Sequence, residues 1–328
     1  MTLGTGLAMT PSVAFARSES TYTGTGTGTG ATPSGPAVIS GAQIKFGVVV
    51  PGGTTEQYSQ QLQSVAVTAN EKPSLVTIFS SFGDNSGAPL STVELITSRG
   101  ATPIVTWEPW VAGMGSVQDS YQNADVSAGS FDSYITSWAT AIAQWGKPLM
   151  IRYGHEMNGS WYPWSDGVNG NSSGSYVAAY RHVHDLFTVA GANNVSWIWN
   201  PNTIYPGSTP LATAYPGSAY VDYVGADGYN WGTSSVNTTW RSPTTIFGAT
   251  LTQLRSVAPS KPIMIGEVAS TELGGSKAKW NRQLLSYLNS QPDIVGFTWF
   301  NIDKEADWRI DSSATSASAF ASALSTRR

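Results

Sequence analysis

Eight short apolar runs, with stretches of helical period between most of them, constrain the fold of this chain more than any other feature of its sequence. The runs are IKFGVVV (44–50), SLVTIFSS (74–81), TPIVTW (102–107), PLMIRYG (148–154), VSWIWN (195–200), DYVGAD (222–227), PIMIGE (262–267) and VGFTWF (295–300). Between them, FDSYITSWATAIAQW (131–145), SYVAAYRHVHDLF (175–187) and WNRQLLSYL (280–288) repeat apolar residues at helical spacing. Continuous apolar strands separated by helices are parallel strands covered on both faces, and eight such units close most simply into an α/β fold, a single (β/α)8 barrel. An open doubly wound sheet is the alternative. No run is followed by a G-x-G-x-x-G phosphate turn, so no nucleotide cofactor is expected.

Composition bears on what such a barrel could bind. Lys+Arg 17 against Asp+Glu 21 leaves a net charge of −4, so there is no basic field to draw in nucleic acid or an anionic membrane surface. No stretch after the N-terminal region has the ~18 unbroken apolar residues of a membrane span. The counts of Trp 13 and Tyr 14 are high for a chain that is 12% charged, and aromatic faces stack on the C–H faces of sugars. A polysaccharide partner is therefore expected, with the protein acting as a monomer.

The chain divides into three parts. Residues 1–16 are small and apolar, and Ala14-Phe15-Ala16 offers the small-x-small pattern of a signal cleavage site without a preceding Lys or Arg, so a remnant of an export signal and a secreted location are expected. Residues 17–42, rich in Thr, Gly and Pro, read as a flexible linker, and residues 43–328 as the barrel. With no cysteine, stability must come from the core rather than from disulfides.

Barrel chemistry gathers where the strands end at the carboxyl face. Trp107 and Glu108 end the third run, His155 and Glu156 follow the fourth, Asn200 ends the fifth, Asp227 and Tyr229 the sixth, Glu267 the seventh, and Trp299 and Asn301 the eighth. Glu156 and Glu267, on strands roughly across the barrel from each other, form the carboxylate pair that glycosidic cleavage needs. One carboxyl protonates the leaving oxygen while the other attacks the anomeric carbon, and a separation of roughly 5–5.5 Å gives retention.

Those motifs resemble glycoside hydrolase family 26, whose members include β-mannanases and a smaller group acting on mixed-linkage β-glucan or β-xylan. The resemblance spans about residues 43–312. RYGHEMNGSW (152–161) matches the family segment after strand four, which implies that Glu156 is the acid/base, and PIMIGEVAS (262–270) matches the segment closing strand seven, which implies that Glu267 is the nucleophile. It further implies that Tyr229 in GADGYNWG touches the nucleophile, that Trp299 in GFTWFN floors the cleaving subsite, and that His155 meets the sugar at the scissile bond. Mannanases of the family place a His after strand three, where this chain has TWEPW, with Trp107 and Glu108. That departure, together with Asp303, Lys304 and Arg309 in FNIDKEADWRIDSS, looks closer to the β-glucan branch. Endo-acting, retaining hydrolysis of mixed-linkage β-1,3-1,4-glucan is the expectation. An endo-β-1,4-mannanase and a barrel that only binds polysaccharide are the alternatives.

Plainer readings stand beside these. Glu108 contacts substrate or braces a loop, and Trp161 and Trp164 are sugar platforms or core. HEMNG resembles the start of a zinc H-E-x-x-H helix, but its fifth position is Gly159, so no metal is expected. His182 and His184, two apart on a helix, face different ways and fit surface rather than site.

Overall fold

The structure, a computed structural model, describes residues 43–328, so the expected export signal and linker lie outside the described residues. Eight parallel strands close into a barrel in chain order: β1 (Lys45–Val49), β2 (Leu75–Ser81), β3 (Thr102–Glu108), β4 (Leu149–Tyr153), β5 (Val195–Trp199), β6 (Tyr223–Asn230), β7 (Ile263–Ser270) and β8 (Ile294–Phe300). The crossovers carry α1 (Thr55–Ala69), α2 (Leu90–Ser98), α3 (Asn123–Ser127), α4 (Asp132–Trp145), α5 (Ser175–Val189), α6 (Leu211–Ala214), α7 (Pro243–Val257) and α8 (Lys277–Asn289), and α9 (Ala314–Leu324) closes the described chain. Among the described residues no helix is long and apolar enough to cross a membrane.

All eight strands fall on the apolar runs. The sixth and seventh run three residues further than their sequence limits, because their ends pair with each other, Gly228 with Val268 and Asn230 with Ser270. The register slips between Ala226 and Asp227, so that Asp227 sits opposite Glu267. A bulge of this kind re-aims side chains at a barrel rim.

Alternation along each strand sorts side chains into two compartments. Leu75, Ile104, Met150, Ile198 and Met264 form their own apolar cluster, the plug of the barrel interior. Two residues further along β4 and β3, Arg152 and Thr106 share the same interior face and hydrogen-bond to each other. The residues between them face the helices. Trp107 stacks on Trp138 of α4 at 4.5 Å, Trp199 meets Tyr215 at 5.1 Å, and Trp299 meets Phe320 of α9 at 5.0 Å. All three are completely buried. This corrects the expectation for Trp107 and Trp299, which lie in the strand–helix layer and not at a sugar. Glu108 and Phe300, one residue further on, have the inward parity.

The interior is also shaped by what is missing. A Cβ at Gly225 or Gly266 would lie 2.0 Å or 2.1 Å from Asn200 Oδ1, so both glycines make the room in which the buried Asn200 amide sits beside Asp227.

Candidate active site

Arg152 organises the mouth of the barrel. Its guanidinium donates from Nε to Thr106 Oγ1 (2.8 Å), from one terminal nitrogen to both Asp227 oxygens (2.9 and 3.1 Å), and from the other to Glu267 Oε1 (2.5 Å). The five N–H donors of an Arg fork share one delocalised positive charge, and a buried cation of this kind survives only among anions. Burial alone would lower its pKa, but Asp227, Glu267 and Glu156 together raise it, so the guanidinium stays charged. Burial pushes the Asp227 carboxyl up, and Arg152 opposes this. Tyr229 donates its hydroxyl to the other Glu267 oxygen, and burial with the adjoining Glu267 holds the phenol well above its ordinary range. Glu267 thus accepts from a cation on one oxygen and from a phenol on the other.

Glu156 is held differently. Its backbone is left-handed, with φ at 54°, a costly conformation for a residue with a side chain. Its N–H donates to Asn200 O (2.8 Å), and Gly159 N–H donates to its carbonyl (2.9 Å), which fixes the turn that aims it. Oε1 accepts from Asn202 Nδ2 (2.7 Å) and Oε2 from Trp161 Nε1 (2.7 Å). Burial and then the charge of Glu267 push the Glu156 carboxyl up to about 7, against the opposing donors Asn202 and Trp161. Two carboxyls on one site, one paired with a buried cation and one poised near neutrality, have the asymmetry of a nucleophile and an acid.

His155 completes the floor. Burial and the nearby Arg152 hold its pKa well below 6.5, so the ring is neutral. Its Nδ1 faces Glu108 Oε1 across 3.9 Å, too far for a hydrogen bond, and Nε2 meets the Tyr162 hydroxyl at 3.3 Å. Burial pushes Glu108 up to about 8, so that this carboxyl, which accepts from Trp110 Nε1 at 3.1 Å, is protonated at neutral pH. One atom each from His155, Asp227 and Glu267 lies within 4.8 Å of the others, the spacing of a metal site. Arg152, however, already holds both of those carboxylates, so the cation this cluster is built around is the guanidinium.

The family model for glycosyl hydrolase family 26 matches residues 102–290, more than half the chain. This chain belongs to glycosyl hydrolase family 26. It is 38% identical over 236 residues to Endoglucanase H of Acetivibrio thermocellus, covering 70% of this chain and 25% of that protein. It is 26% identical over 161 residues to mannan endo-1,4-beta-mannosidase A and B of Caldalkalibacillus mannanilyticus, covering 48% of this chain and 28% of that one. The chain thus spans about a quarter of each. Its fold matches the catalytic domain of a Bacillus endo-beta-1,4-mannanase of the family with a TM-score of 0.65 at 17% identity, over 86% of both chains.

In this family member the structure brings together Glu156, Glu267, His155, Glu108, Tyr229 and Trp161, as the sequence suggests. Trp164 is instead completely buried, stacked on Tyr162 at 4.2 Å and donating to His155 O at 2.7 Å, so it supports the loop that bears Glu156. Asn200 is completely buried beside Asp227. Asn301 braces the segment after β8 by accepting from Ile310 N–H at 2.7 Å. Asp303, Lys304 and Arg309 sit exposed on that segment. His182 contacts Asp132 of α4 at 2.6 Å, away from the site.

Sequence reasoning passes over several neighbours. Arg152 is visible as the first letter of RYGHEMNGSW, yet nothing local says that it will bridge strands 75 and 115 residues away. Asn202 and Tyr205, after β5, meet Glu156 and Trp161. Trp231 and Trp308 meet edge to face at 4.9 Å beside Tyr229, and Phe79 of β2 lies 5.7 Å from the Arg152 guanidinium. Asn202, Tyr205, Trp231 and Trp308 stand on loops without periodicity, where only the fold could bring them to the site.

Proposed function

We propose that the chain is a retaining endo-β-1,4-glycanase in which Glu267 is the nucleophile and Glu156 the acid/base. The observation that carries this reading is the contrast within one buried cluster: Glu267 held as an acceptor by Arg152 and Tyr229, and Glu156 pushed up to about 7 by burial and by Glu267 itself. In the first step Glu267 attacks the anomeric carbon while Glu156 gives its proton to the departing oxygen. The ester that forms cancels the Glu267 charge, which removes one of the causes holding Glu156 protonated. Glu156 is then free to act as base toward the water that releases the sugar. A barrel that merely binds polysaccharide would have no use for this asymmetry.

The substrate we propose is mixed-linkage β-glucan. Glu108, inward-facing and protonated beside a neutral His155, stands where mannanases of the family place a His, and Endoglucanase H is a relative by 38% identity. Likeness to the mannosidase of Caldalkalibacillus favours the second reading, β-mannan. An axial hydroxyl at C2 separates the two sugars, and a site hydrogen-bonded to one leaves buried polar groups unpaired with the other. Export, suggested by Ala14-Phe15-Ala16, and action as a monomer complete the proposal. Initial rates on barley β-glucan, lichenan, galactomannan and β-1,3-xylan, with the product anomer followed by NMR, test it. Barley β-glucan should lead galactomannan by about tenfold or more in kcat/KM, as expected where hydroxyl recognition decides. Cleavage of mannan alone would overturn the sugar, and an inverted first product would overturn the mechanism.

A further inference from the structure

Glu156 is gripped from two sides, and the grips differ in kind. Trp161 reaches Oε2 from a half-buried position, stacked on Tyr205 at 6.0 Å. Asn202 reaches Oε1 from the segment after β5, and its backbone is locked by Asn158. Asn158 Oδ1 accepts from the Asn202 N–H (2.8 Å), and Asn158 Nδ2 donates to the Asn202 carbonyl (2.9 Å). A backbone N–H only donates and a carbonyl only accepts, so this pair of hydrogen bonds fixes the Asn158 amide one way round. Asn158 is itself completely buried, and its carbonyl accepts from Thr209 N–H at 2.9 Å. The Asn202 amide is oriented in turn: Thr203 Oγ1 donates to its Oδ1 at 3.3 Å, which turns the NH2 toward Glu156. Asn158 stands two residues past Glu156, so the loop that bears the carboxyl also bears the brace that delivers a donor to it.

We propose that Asn202, locked by Asn158, is a positioning residue that holds Glu156 in the orientation for proton transfer and tunes its readiness to give the proton up. The proposal rests on Glu156 being the acid/base. An N–H aimed at a carboxylate favours the charged form, so Asn202 opposes burial and the Glu267 charge. Because the amide is fixed beforehand, it needs no reorganisation when the proton leaves.

The test uses the full chain with Asn202→Ala, Asn202→Ser and Asn158→Ala, each followed by kcat/KM against pH on the polysaccharide the wild type cleaves fastest and on a 2,4-dinitrophenyl glycoside. The Asn202 variants should move the alkaline limb upward by about half a pH unit or more and lose about tenfold on polysaccharide, while changing the activated glycoside by less than about threefold. Asn158→Ala should reproduce the upward shift although it touches neither Glu156 nor a sugar. Should Asn158→Ala not fold, the half-buried Asn202→Ser decides alone. An unmoved alkaline limb with a raised KM would overturn the proposal, since Asn202 would then act on the sugar directly. Glu156→Ala is the control: equal losses on natural and activated substrates would remove the acid/base reading and the brace with it, whereas an acid/base signature there beside unmoved Asn202 profiles would remove the brace alone.

Discussion

The two ends of the barrel interior are built from the same strands and have opposite chemistry. At the amino end Leu75, Ile104, Met150, Ile198 and Met264 make a dry plug. At the carboxyl end Arg152, Asp227, Glu267 and Glu156, with the neutral His155, make an ionisable cluster that is nearly as well buried. On β4 only one residue separates Met150 from Arg152, and on β7 two separate Met264 from Glu267. The difference teaches how the fold divides labour. Apolar contacts at one end tolerate small changes of shape and supply stability, whereas at the other end each charge is compensated only by its neighbours, so any loss there leaves a buried charge exposed to the full desolvation cost.

The sharpest break of this comparison is Glu267→Ala. It removes the proposed nucleophile, so turnover should fall by about 10³-fold or more while the plug and helices keep the barrel folded. Azide should restore part of the rate and yield an α-glycosyl azide, detected by NMR. Activity near wild type on every polysaccharide would show that the charged end is structural after all.

The next effect lies in pH. In its proposed role as acid Glu156 must carry its proton, and burial with the Glu267 charge pushes its carboxyl up to about 7, so the rate should fall as pH rises through that value. Glu156→Ala should flatten this alkaline limb and cost about a hundredfold or more on polysaccharide, yet spare dinitrophenyl glycosides, whose leaving group needs no proton. A pH profile unchanged by the substitution would assign the limb to another group.

How much of this was legible in the sequence follows the same division. The strand beat is visible because burial on both faces leaves no polar interruption, and all eight runs become strands. Glu156 and Glu267 are visible because each lies inside its own motif. Trp107 and Trp299 mislead, since a large aromatic beside a motif suggests a sugar platform, while the period of two already sends Trp107 to the face opposite Glu108. Parity is the stronger signal, and it also places Arg152 on the inner face with Met150. Asn202, Tyr205, Trp231 and Trp308 stay hidden because loop geometry follows no period.

Trp107→Ala and Met150→Ala sharpen the contrast from the stabilising side. Both side chains are buried, one against α4 and one in the plug, so each should cost about 2–5 kcal/mol of stability in denaturant titration. KM on the preferred polysaccharide should stay within about twofold of wild type, because neither residue faces the cleft. A large rise in KM for Trp107→Ala with unchanged stability would return that indole to the substrate.

The smallest effect is expected where the two regimes meet, at Glu108. It is a carboxyl in a place nearly as dry as the plug, and burial pushes it up to about 8 from an ordinary value of 4.5. Between those two values the folded protein keeps a proton that the unfolded chain has released, so folding stability falls as pH rises across that interval and levels off above it. Glu108→Gln keeps the shape and the neutral charge while removing the titration, so it should match wild type near pH 5 and gain on it steadily toward pH 8. One pKa unit is worth about 1.4 kcal/mol, but water reaching the opened site will take up part of the penalty, so a gain of a few degrees in Tm is the expected size. The substitution also leaves a neutral side chain of the same size beside His155, so kcat near neutrality should change little. Melting curves of the two proteins at pH 5, 6, 7 and 8 measure the effect. A constant difference across that range would mean that Glu108 is already ionised in the folded protein, and that the charged end of the barrel reaches one residue further than its burial suggests.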